Sequence, residues 1–479
     1  MKRDYAMSEL TLAEATEQVI AKLSQARKEP DWLRTFRTKS LRLFRELPAE
    51  LSNLYTKYAD LTGVDFESTS LDLPEPSRAE IDSVVSKFKT DRAITIYQID
   101  SKTLPPEIPE TLLKEGVVFT DIGTAISRDP EYFKRYFLEK AILPEDDKFA
   151  ALNNALFMSG FFLHVPKGIE ITTPFRMVTV LSSEGNSLFT QNLIMAEPRS
   201  KFTVLEELYS TKLTQQSKRS TYSGLSEVYL HEGAEVTYAS INNLASNVNI
   251  FSNKKSIGKR DSKIVWSSAL LGGAYTRSRL ESVMKEEGAS SENVEVVFGA
   301  GTQRFDTASN ITHIGQNTSG HAVSKGVVKE KARAVFKGMI RIEKEAKNSR
   351  AYLAEHGMIL GKDARADAIP GLEIETNDVK ATHSASVAQI NDEDIFYLMS
   401  RGLAEDDAKK LIIVGFFEPV VERIPVPEVA KRIRRIIDLK WSGVYDFESY
   451  LKPRPLEDEY YEEEAHKPRD LFEGHYKYR

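Results

Sequence analysis

The central part of the chain, from about residue 168 to 385, is a succession of short alternating apolar stretches with hardly any helical period. Residues 200–208, 233–241 and 261–269 are typical, and a turn of small or charged residues precedes each of them. Alternation over four to eight residues is the pattern of a strand with one buried face. So many short strands in succession restrict this part of the chain to a mainly β fold.

The turns between these stretches recur at regular distances. Turns near residues 233, 261 and 288 are 28 and 27 residues apart, and the later turns from 331 to 378 are 15 to 17 apart. Spacings near one value and near half of it indicate a coil with two or three strands per turn, which predicts a parallel β-helix. An antiparallel sandwich is the alternative, although residues 168–385 lack the Asn-Gly and Asp-Gly pairs that tight hairpins favour.

Helical patterns flank the strands on both sides. Residues 8 to about 60 carry two apolar stripes at helical spacing, and further helices are predicted at 129–140 and 147–158. After Asn391, apolar residues recur three or four apart on two short helices broken near Gly402. We therefore divide the chain into an N-terminal helical and mixed α/β region (1–165), a β-helix core (166–388), a C-terminal helical domain (389–441) and a tail (442–479).

Composition excludes several classes of protein. The 479 residues are 41% hydrophobic and 28% charged, as expected for a globular protein of two or three domains. The formal charge of -6 has no large block of one sign, so neither nucleic acid nor an anionic membrane is an expected partner. The sequence shows no apolar run of 18 residues and no signal peptide, and we expect a cytoplasmic location.

The motifs of common catalytic sites are missing from the sequence. It contains no GxxxxGK(S/T) phosphate loop, no HExxH, no GxSxG and no GxGxxG that opens a helix. We therefore predict a non-catalytic chain that does not hydrolyse ATP by itself. A carbohydrate-active enzyme remains an alternative, because parallel β-helices often cleave acidic polysaccharides with neighbouring carboxylates, for which Glu373, Glu375 and Asp378 are candidates.

The chain has no cysteine, which excludes disulfides, thiolate zinc sites, a cysteine nucleophile and a metal cluster held by its own thiolates. Its eight histidines are spread along the sequence. His313 and His321, eight residues apart, are too loosely spaced to predict a metal site. For His383, the sequence leaves two readings open, a metal ligand or a histidine hydrogen-bonded in a turn that closes the last coil.

Several motifs occur in an order that resembles a known family. They are KEPDWL (28–33), LNNALF (152–157), HVPKGI (164–169), PGLEI (370–374), a Thr-His pair ending at His383, INDED (390–394), FYLMSRGL (396–403) and GFFEP (415–419). In this order, from about residue 20 to about 440, the sequence resembles the SufB/SufD family of iron-sulfur cluster assembly proteins.

The resemblance implies a right-handed parallel β-helix whose terminal coil pairs with a cysteine-bearing SufB-like chain or with a second copy of this chain. It places His383 beside an inter-subunit site where a transient iron-sulfur cluster would form with a partner, since imidazole is a competent iron ligand. SufB-type members carry a glutamate directly after this histidine and a cysteine upstream, where this chain has Ser384 and Ala364. The resemblance is therefore closer to SufD, and it implies no cofactor held by this chain alone.

The helical domain after Asn391 has more large apolar residues than a short pair of helices can bury, and such patches often bind a partner. In the family, this region binds the SufC ATPase, an ABC-type subunit. A self-contained helical core is the alternative for part of the set, and a purely structural homodimer is the alternative for the whole chain. The acidic, tyrosine-rich tail is predicted to be a flexible or surface-wrapping extension. The partner-binding residues that the resemblance implies are Phe396, Tyr397, Arg401, Phe416, Phe417 and Glu418.

Overall fold

A computed structural model of the protein describes residues 10–211, 218–422, 427–444 and 449. Most of the predicted tail therefore lies outside the described residues. The described part consists of a strand-rich centre with helices at both ends of the chain. The strands are β1 (Ile94–Ile99), β2 (Lys102–Leu104), β3 (Val118–Asp121), β4 (Phe161–Val165), β5 (Phe175–Leu181), β6 (Ser187–Ala196), β7 (Lys201–Ser210), β8 (Ser220–Leu230), β9 (Glu235–Asn243), β10 (Val248–Gly258), β11 (Lys263–Leu270), β12 (Tyr275–Met284), β13 (Ser290–Gly299), β14 (Arg304–His313), β15 (Ser319–Lys329), β16 (Arg333–Ile342), β17 (Ser349–Leu360), β18 (Arg365–Ile374) and β19 (Val379–Gln389).

The helices lie before and after the long run of strands, and side-chain caps define several of their starts. Thr16 accepts a hydrogen bond from the Val19 amide, and Asp147 accepts hydrogen bonds from two amides of the helix that follows it. The helices are α1 (Glu17–Ala26), α2 (Asp31–Glu46), α3 (Arg78–Phe88), α4 (Glu110–Lys114), α5 (Ile122–Arg128), α6 (Pro130–Leu138), α7 (Lys148–Leu156), α8 (Asp392–Ser400), α9 (Glu405–Val421) and α10 (Pro427–Trp441).

Two facing sheets form a parallel β-solenoid. The odd sheet contains β2, β1 and the odd-numbered strands β5 to β19, and the even sheet contains β3 and the even-numbered strands β4 to β18. Each coil contributes one strand to each sheet, so Lys263 of β11 lies between Glu235 of β9 and Ser290 of β13. These partners are 28 and 27 residues apart in sequence, as the turn spacing predicts. The parallel β-helix is therefore confirmed, and the antiparallel sandwich is wrong.

One corner of the solenoid repeats the same backbone conformation coil after coil. Arg199, Gly233, Asp261 and Gly288 have φ angles of 57°, 65°, 53° and 73°. The amide of each donates a hydrogen bond to the chain at the next coil, for example Asp261 to the Glu287 carbonyl at 2.9 Å. Only the left-handed region turns the chain this sharply, which explains the small and polar residues that precede each strand.

The interior of the solenoid, which we call the lumen, is filled from both sheets. Leu353 and Ala322 of the odd sheet pack with Ile311 and Ile340 of the even sheet in one buried cluster. The outer faces are also covered, the even sheet by the N-terminal helices and the odd sheet by α3, α9 and α10. Because many strands are buried on both faces, their buried residues run almost continuously, as in the seven buried residues of β5.

The two ends of the solenoid differ. At the N-terminal end, the short strands β2 and β3 pair antiparallel with β1 and β4 and end the two sheets. At the other end, β18 and β19 each have a partner on one side only within the described residues. We call the coil made by β18 and β19 the open coil. It is followed by the helical domain, which begins where the Asn391 side chain caps α8.

The last helix is fixed to the solenoid by buried polar contacts. Arg432 of α10 donates a hydrogen bond to Glu207 of β7 at 2.6 Å, and the Lys440 ammonium donates to the carbonyls of Leu271 and Phe298. Apolar residues of the helix, including Ile433, add to the same core. The C-terminal helical domain is thus attached to the middle coils. No helix in the described ranges combines the length and the hydrophobicity needed to cross a bilayer.

Candidate functional site at the open coil

The open coil presents two long strand edges. Strands β18 and β19 have 10 and 11 residues, and each is hydrogen-bonded to a neighbouring strand on one side only among the described residues. An edge strand has a row of unpaired backbone donors and acceptors that favours pairing with another chain. Ile374 and Val387 are also large apolar residues exposed on this coil. The arrangement is suited to extension of both sheets by a partner.

His383 lies in the middle of β19, opposite Leu353 of β17. Residues in register on neighbouring strands point to the same face of a sheet. Because Leu353 is packed inside the lumen with Ile340 of the facing sheet, His383 also belongs to the lumen face. Its side chain is exposed because β19 is the last strand of its sheet. The reading of His383 as a turn residue that closes the coil is therefore wrong.

The residues that share the lumen face of the open coil with His383 are mostly small and apolar. On β19, they alternate with outward residues such as Ser384, whose hydroxyl lies 3.5 Å from that of Tyr352. Ala364 precedes β18 and is buried. An imidazole thus stands within an apolar surface. The lumen-facing neighbours on the two strands are Val379, Ala381, Ala385, Val387, Gln389, Ala366, Ala368, Pro370, Leu372 and Ile374.

A buried carboxylate lies one coil below. Glu355 of β17 is in register with Ala385 and has an exposed fraction of 0%. Its Oε2 accepts a hydrogen bond from the backbone amide of Ile369 on β18 at 2.7 Å. Its Oε1 has no hydrogen-bond partner among the described residues. Burial raises the pKa of Glu355 to about 8, and the amide of Ile369 opposes only part of that shift.

Sequence reasoning missed Glu355. The available signal was its position, because it occupies an inward site in an alternating strand whose other inward residues, Ala351, Leu353 and Gly357, are small or apolar. A charged residue at such a site is either paired or functional. The sequence alone does not show that Glu355 faces the lumen, because this depends on the register of β17 with its neighbouring strands.

The predicted partner-binding residues divide into two groups. On α8, Phe396 is 74% exposed, Tyr397 is also exposed, and the Arg401 guanidinium lies 5.2 Å from the centre of the Tyr397 ring. Met399 is another large exposed apolar residue on this helix. Helix α8 therefore presents an apolar and aromatic surface, which we call the α8 patch.

The three predicted residues on α9 face the solenoid or the next helix. Phe417 is only 1% exposed, and its ring lies 6.0 Å from that of Phe298. Phe416 is half-buried under the Lys325 ammonium, and Glu418 forms an ion pair with Arg434 of α10. Their contacts within the chain are those of packing residues.

The remaining candidate residues from the sequence do not come together in one site. Glu373 and Glu375 are exposed, and Glu375 lies 3.8 Å from Arg341. His313 is buried, where burial lowers its pKa to about 3, and its Nδ1 is 2.8 Å from the Thr318 hydroxyl. Within the ranges that the structure describes, no three His, Cys, Asp or Glu residues are grouped so that they could hold a metal ion. Any metal at the open coil would therefore need additional ligands.

Comparison with known proteins covers most of the chain. Residues 27–177 match the SufBD protein N-terminal region, and residues 179–416 match the family described as SUF system FeS cluster assembly, SufBD core domain. The chain is 32% identical to the iron-sulfur cluster assembly protein SufD of Bacillus subtilis strain 168 over 434 residues, which span 88% of this chain and 97% of that protein.

Further relatives come from Staphylococcus aureus. Iron-sulfur cluster assembly SufBD family proteins of strains MRSA252 and USA300 are each 29% identical to this chain over 445 residues, which span 89% of this chain and 93% of the relatives. The similarity therefore extends over nearly the whole length of these proteins, including the solenoid and the helices before it.

Proposed function

The chain belongs to the SufBD family of iron-sulfur cluster assembly proteins, and we propose that it acts there as a SufD-like, non-catalytic scaffold subunit. In this role, it pairs with a SufB-like chain, or with a second copy of itself, through the open coil. The observation that carries the proposal is this coil, with His383 on its lumen face and two long edges that no other described part of the chain pairs with.

Pairing at the open coil would bury what the single chain leaves exposed. A partner strand would satisfy the free backbone groups of β18 and β19, and a facing lumen would cover Ile374 and Val387. His383 would then lie between two subunits. An iron-sulfur cluster, as the cargo of the complex, would contact His383 on this side and the partner's ligands on the other, since this chain has no cysteine to offer.

The α8 patch supports a second contact, with a SufC-like ATPase. Phe396 and Tyr397 are exposed aromatic residues, and aromatic and arginine side chains are enriched at protein interfaces. Because α10 is held by Glu207 and by two strand-end carbonyls, force on the helical domain would pass into the solenoid. ATP-driven closure of two ATPase subunits would pull paired helical domains together, shear the paired solenoids and open the site at His383.

Native mass spectrometry of the chain co-expressed anaerobically with a SufB-like and a SufC-like protein tests the proposal. Val387→Lys places a charge on the lumen face of the open coil, and we expect it to abolish pairing with the SufB-like chain. Leu138→Lys is the control, because Leu138 is also a large apolar residue but belongs to the N-terminal helix α6, where it is 75% exposed. We expect His383→Ala to keep the assembly and to lose its iron and sulfide.

The two proposed contacts are tested separately. If Val387→Lys pairs as well as wild type, the open coil is not the pairing surface. A chain that binds neither partner, with or without the substitutions, contradicts the scaffold role altogether. If Phe396→Ala leaves the SufC-like subunit bound as tightly as in wild type, the α8 patch is not its binding surface.

A further inference from the structure

The carboxylate of Glu355 is less completely paired than that of Glu227, another buried glutamate of this protein. Glu227 of β8 accepts hydrogen bonds at Oε2 from Lys140 at 2.5 Å and from Gln191 at 2.7 Å, and at Oε1 from the Ile142 amide at 2.8 Å. Glu355 receives only the Ile369 amide, and its Oε1 is bare among the residues described. A buried polar atom without a partner needs an explanation such as a water, an ion or a functional role.

The register places Glu355 next to the site proposed for the cluster. His383 and Ala385 are two residues apart on β19, and Ala385 is the partner of Glu355. Strands lie about 4.8 Å apart and rise about 3.3 Å per residue, so the Cα atoms of His383 and Glu355 are about 8 Å apart on one face of the sheet. Side chains of this length can reach a common ion across that distance.

The carboxylate has apolar surroundings. Oε1 lies beside Gly338 of β16, where an added Cβ atom would be 3.0 Å from Oε1 and 2.8 Å from a methyl group of Leu353. The lumen face of the open coil is otherwise mostly small and apolar. The buried carboxylate of Glu355 and the exposed imidazole of His383 offer an oxygen and a nitrogen donor, which suit a divalent first-row transition metal, and two ligands leave positions for a partner or for sulfide.

We propose that Glu355 is a second metal-contacting residue of this chain, which binds a divalent transition-metal ion together with His383 at the open coil. The proposal rests on the function proposed above, in which the metal is the substrate of cluster assembly. It adds a carboxylate ligand that comes from the coil below the subunit interface. This chain would then hold a loosely bound ion before a partner completes the coordination.

Binding of Co²⁺ to the purified chain alone, without oxygen, tests the proposal by absorption spectroscopy and calorimetry. We expect Glu355→Gln to weaken binding by at least about tenfold, as loss of a metal ligand or its support does. Glutamine has nearly the same shape and keeps an acceptor for the Ile369 amide. We expect Glu355→Gln to have little further effect in a His383→Ala background, because both residues contact the same ion.

Glu295→Gln is the matched control. Glu295 is also buried, also has a bare Oε1 among the described residues, and lies in the same column as Glu355 two coils deeper, through Ser324. We expect it to bind Co²⁺ like wild type. Circular dichroism and thermal unfolding of each variant check that it folds, and Glu355→Asp, which keeps the charge but is one methylene shorter, gives a second test with intermediate affinity expected.

The outcomes separate this proposal from the proposed function. If His383→Ala weakens Co²⁺ binding and Glu355→Gln does not, Glu355 is not a ligand, while the role of His383 stands. Equal losses in Glu355→Gln and Glu295→Gln would show a general effect of lumen carboxylates and overturn the proposal. Co²⁺ binding that none of the three substitutions changes also overturns it, whereas the scaffold role is decided by assembly with the partner chains.

Discussion

The two ends of the solenoid differ in how completely their buried carboxylates are hydrogen-bonded. Towards the closed end, Glu207 receives Arg176, Arg432 and the Tyr209 hydroxyl. Next to the open coil, Glu355 of β17 receives one amide, and on the open coil His383 is exposed on an edge that is unpaired within the described residues. The first arrangement is complete within one chain and holds a distant helix in place. The second leaves Oε1 of Glu355 without a partner among the described residues, next to the end at which we propose that another molecule binds.

The largest effect that this comparison predicts is at Glu207. Glu207→Ala would leave two arginines buried without their carboxylate, and breaking a buried ion pair in this way costs about 3–5 kcal/mol of unfolding free energy. Chemical denaturation measures the change. Glu235→Ala is the control, because Glu235 forms an exposed pair with Lys201 and should change stability by less than about 1 kcal/mol. Similar losses of unfolding free energy in both variants would show that the buried ion pairs of Glu207 are no more stabilising than an exposed pair.

The helical domain offers the next test. Phe417→Ala should destabilise the protein by about 3 kcal/mol, because a buried ring is removed from the contact with Phe298. Phe396→Ala should change the unfolding free energy by less than about 0.5 kcal/mol, since the side chain is mostly in solvent, and should instead weaken binding of the ATPase. Denaturation and a binding titration measure the two effects. A destabilising Phe396→Ala would contradict the division of the six candidates into surface and core.

The pH dependence of stability should have opposite signs at the two carboxylates. Burial raises the pKa of Glu207, but Arg176 and Arg432 outweigh burial and lower this pKa to about 2. The folded protein therefore loses the stabilisation that this carboxylate provides as pH falls from about 4.5 to 2. The pKa of Glu355 is raised to about 8, so the folded state binds the extra proton and its stability falls as pH rises from about 4.5 to 8.

Glu355→Gln removes the second of these slopes, because glutamine does not ionise. We expect the variant to be more stable than wild type by an amount that increases as pH rises from about 4.5 to 8.5, with little difference at pH 4.5, measured by denaturation without metal. Burial also raises the pKa of Glu295, to about 7, so Glu295→Gln should show a gain of the same sign that develops between pH 4.5 and 7. A gain for Glu355→Gln that is the same at both pH values would contradict the raised pKa.

Local patterns in the sequence predict much of this architecture. Alternation and turn spacing predict the solenoid, because every coil repeats the same strand and corner conformation. Asn391 marks the start of the helical domain, because a cap is a local interaction. The closing strands β2 and β3 are too short to stand out, and the docking of α10 joins residues 225 positions apart. Contacts at that distance leave no periodic trace in the sequence.

The residues of the candidate site also divide into those that local sequence patterns identify and those that only distant contacts reveal. His383 is recognised from its neighbours in the chain, through the family motif that contains it. Phe396 and Phe417 belong to one aromatic stretch, and only the packing of α9 against β13 decides that Phe417 is buried. Glu355 has no motif. Its position near His383 depends on the pairing of β17 with β19, and on β19 being the last strand of its sheet among the described residues.

The attachment of α10 also has a consequence for the order of folding. Neighbouring coils are joined by only about 28 residues, so each coil can be added to the previous one as the chain leaves the ribosome. Arg432 reaches Glu207 only after the whole solenoid has been synthesised. Until then, Glu207 and Arg176 form an incomplete pair, and the coils lack their outer helix. A nascent chain that ends before α10 should therefore remain open to proteases and chaperones, and the last helix should convert it into the stable subunit.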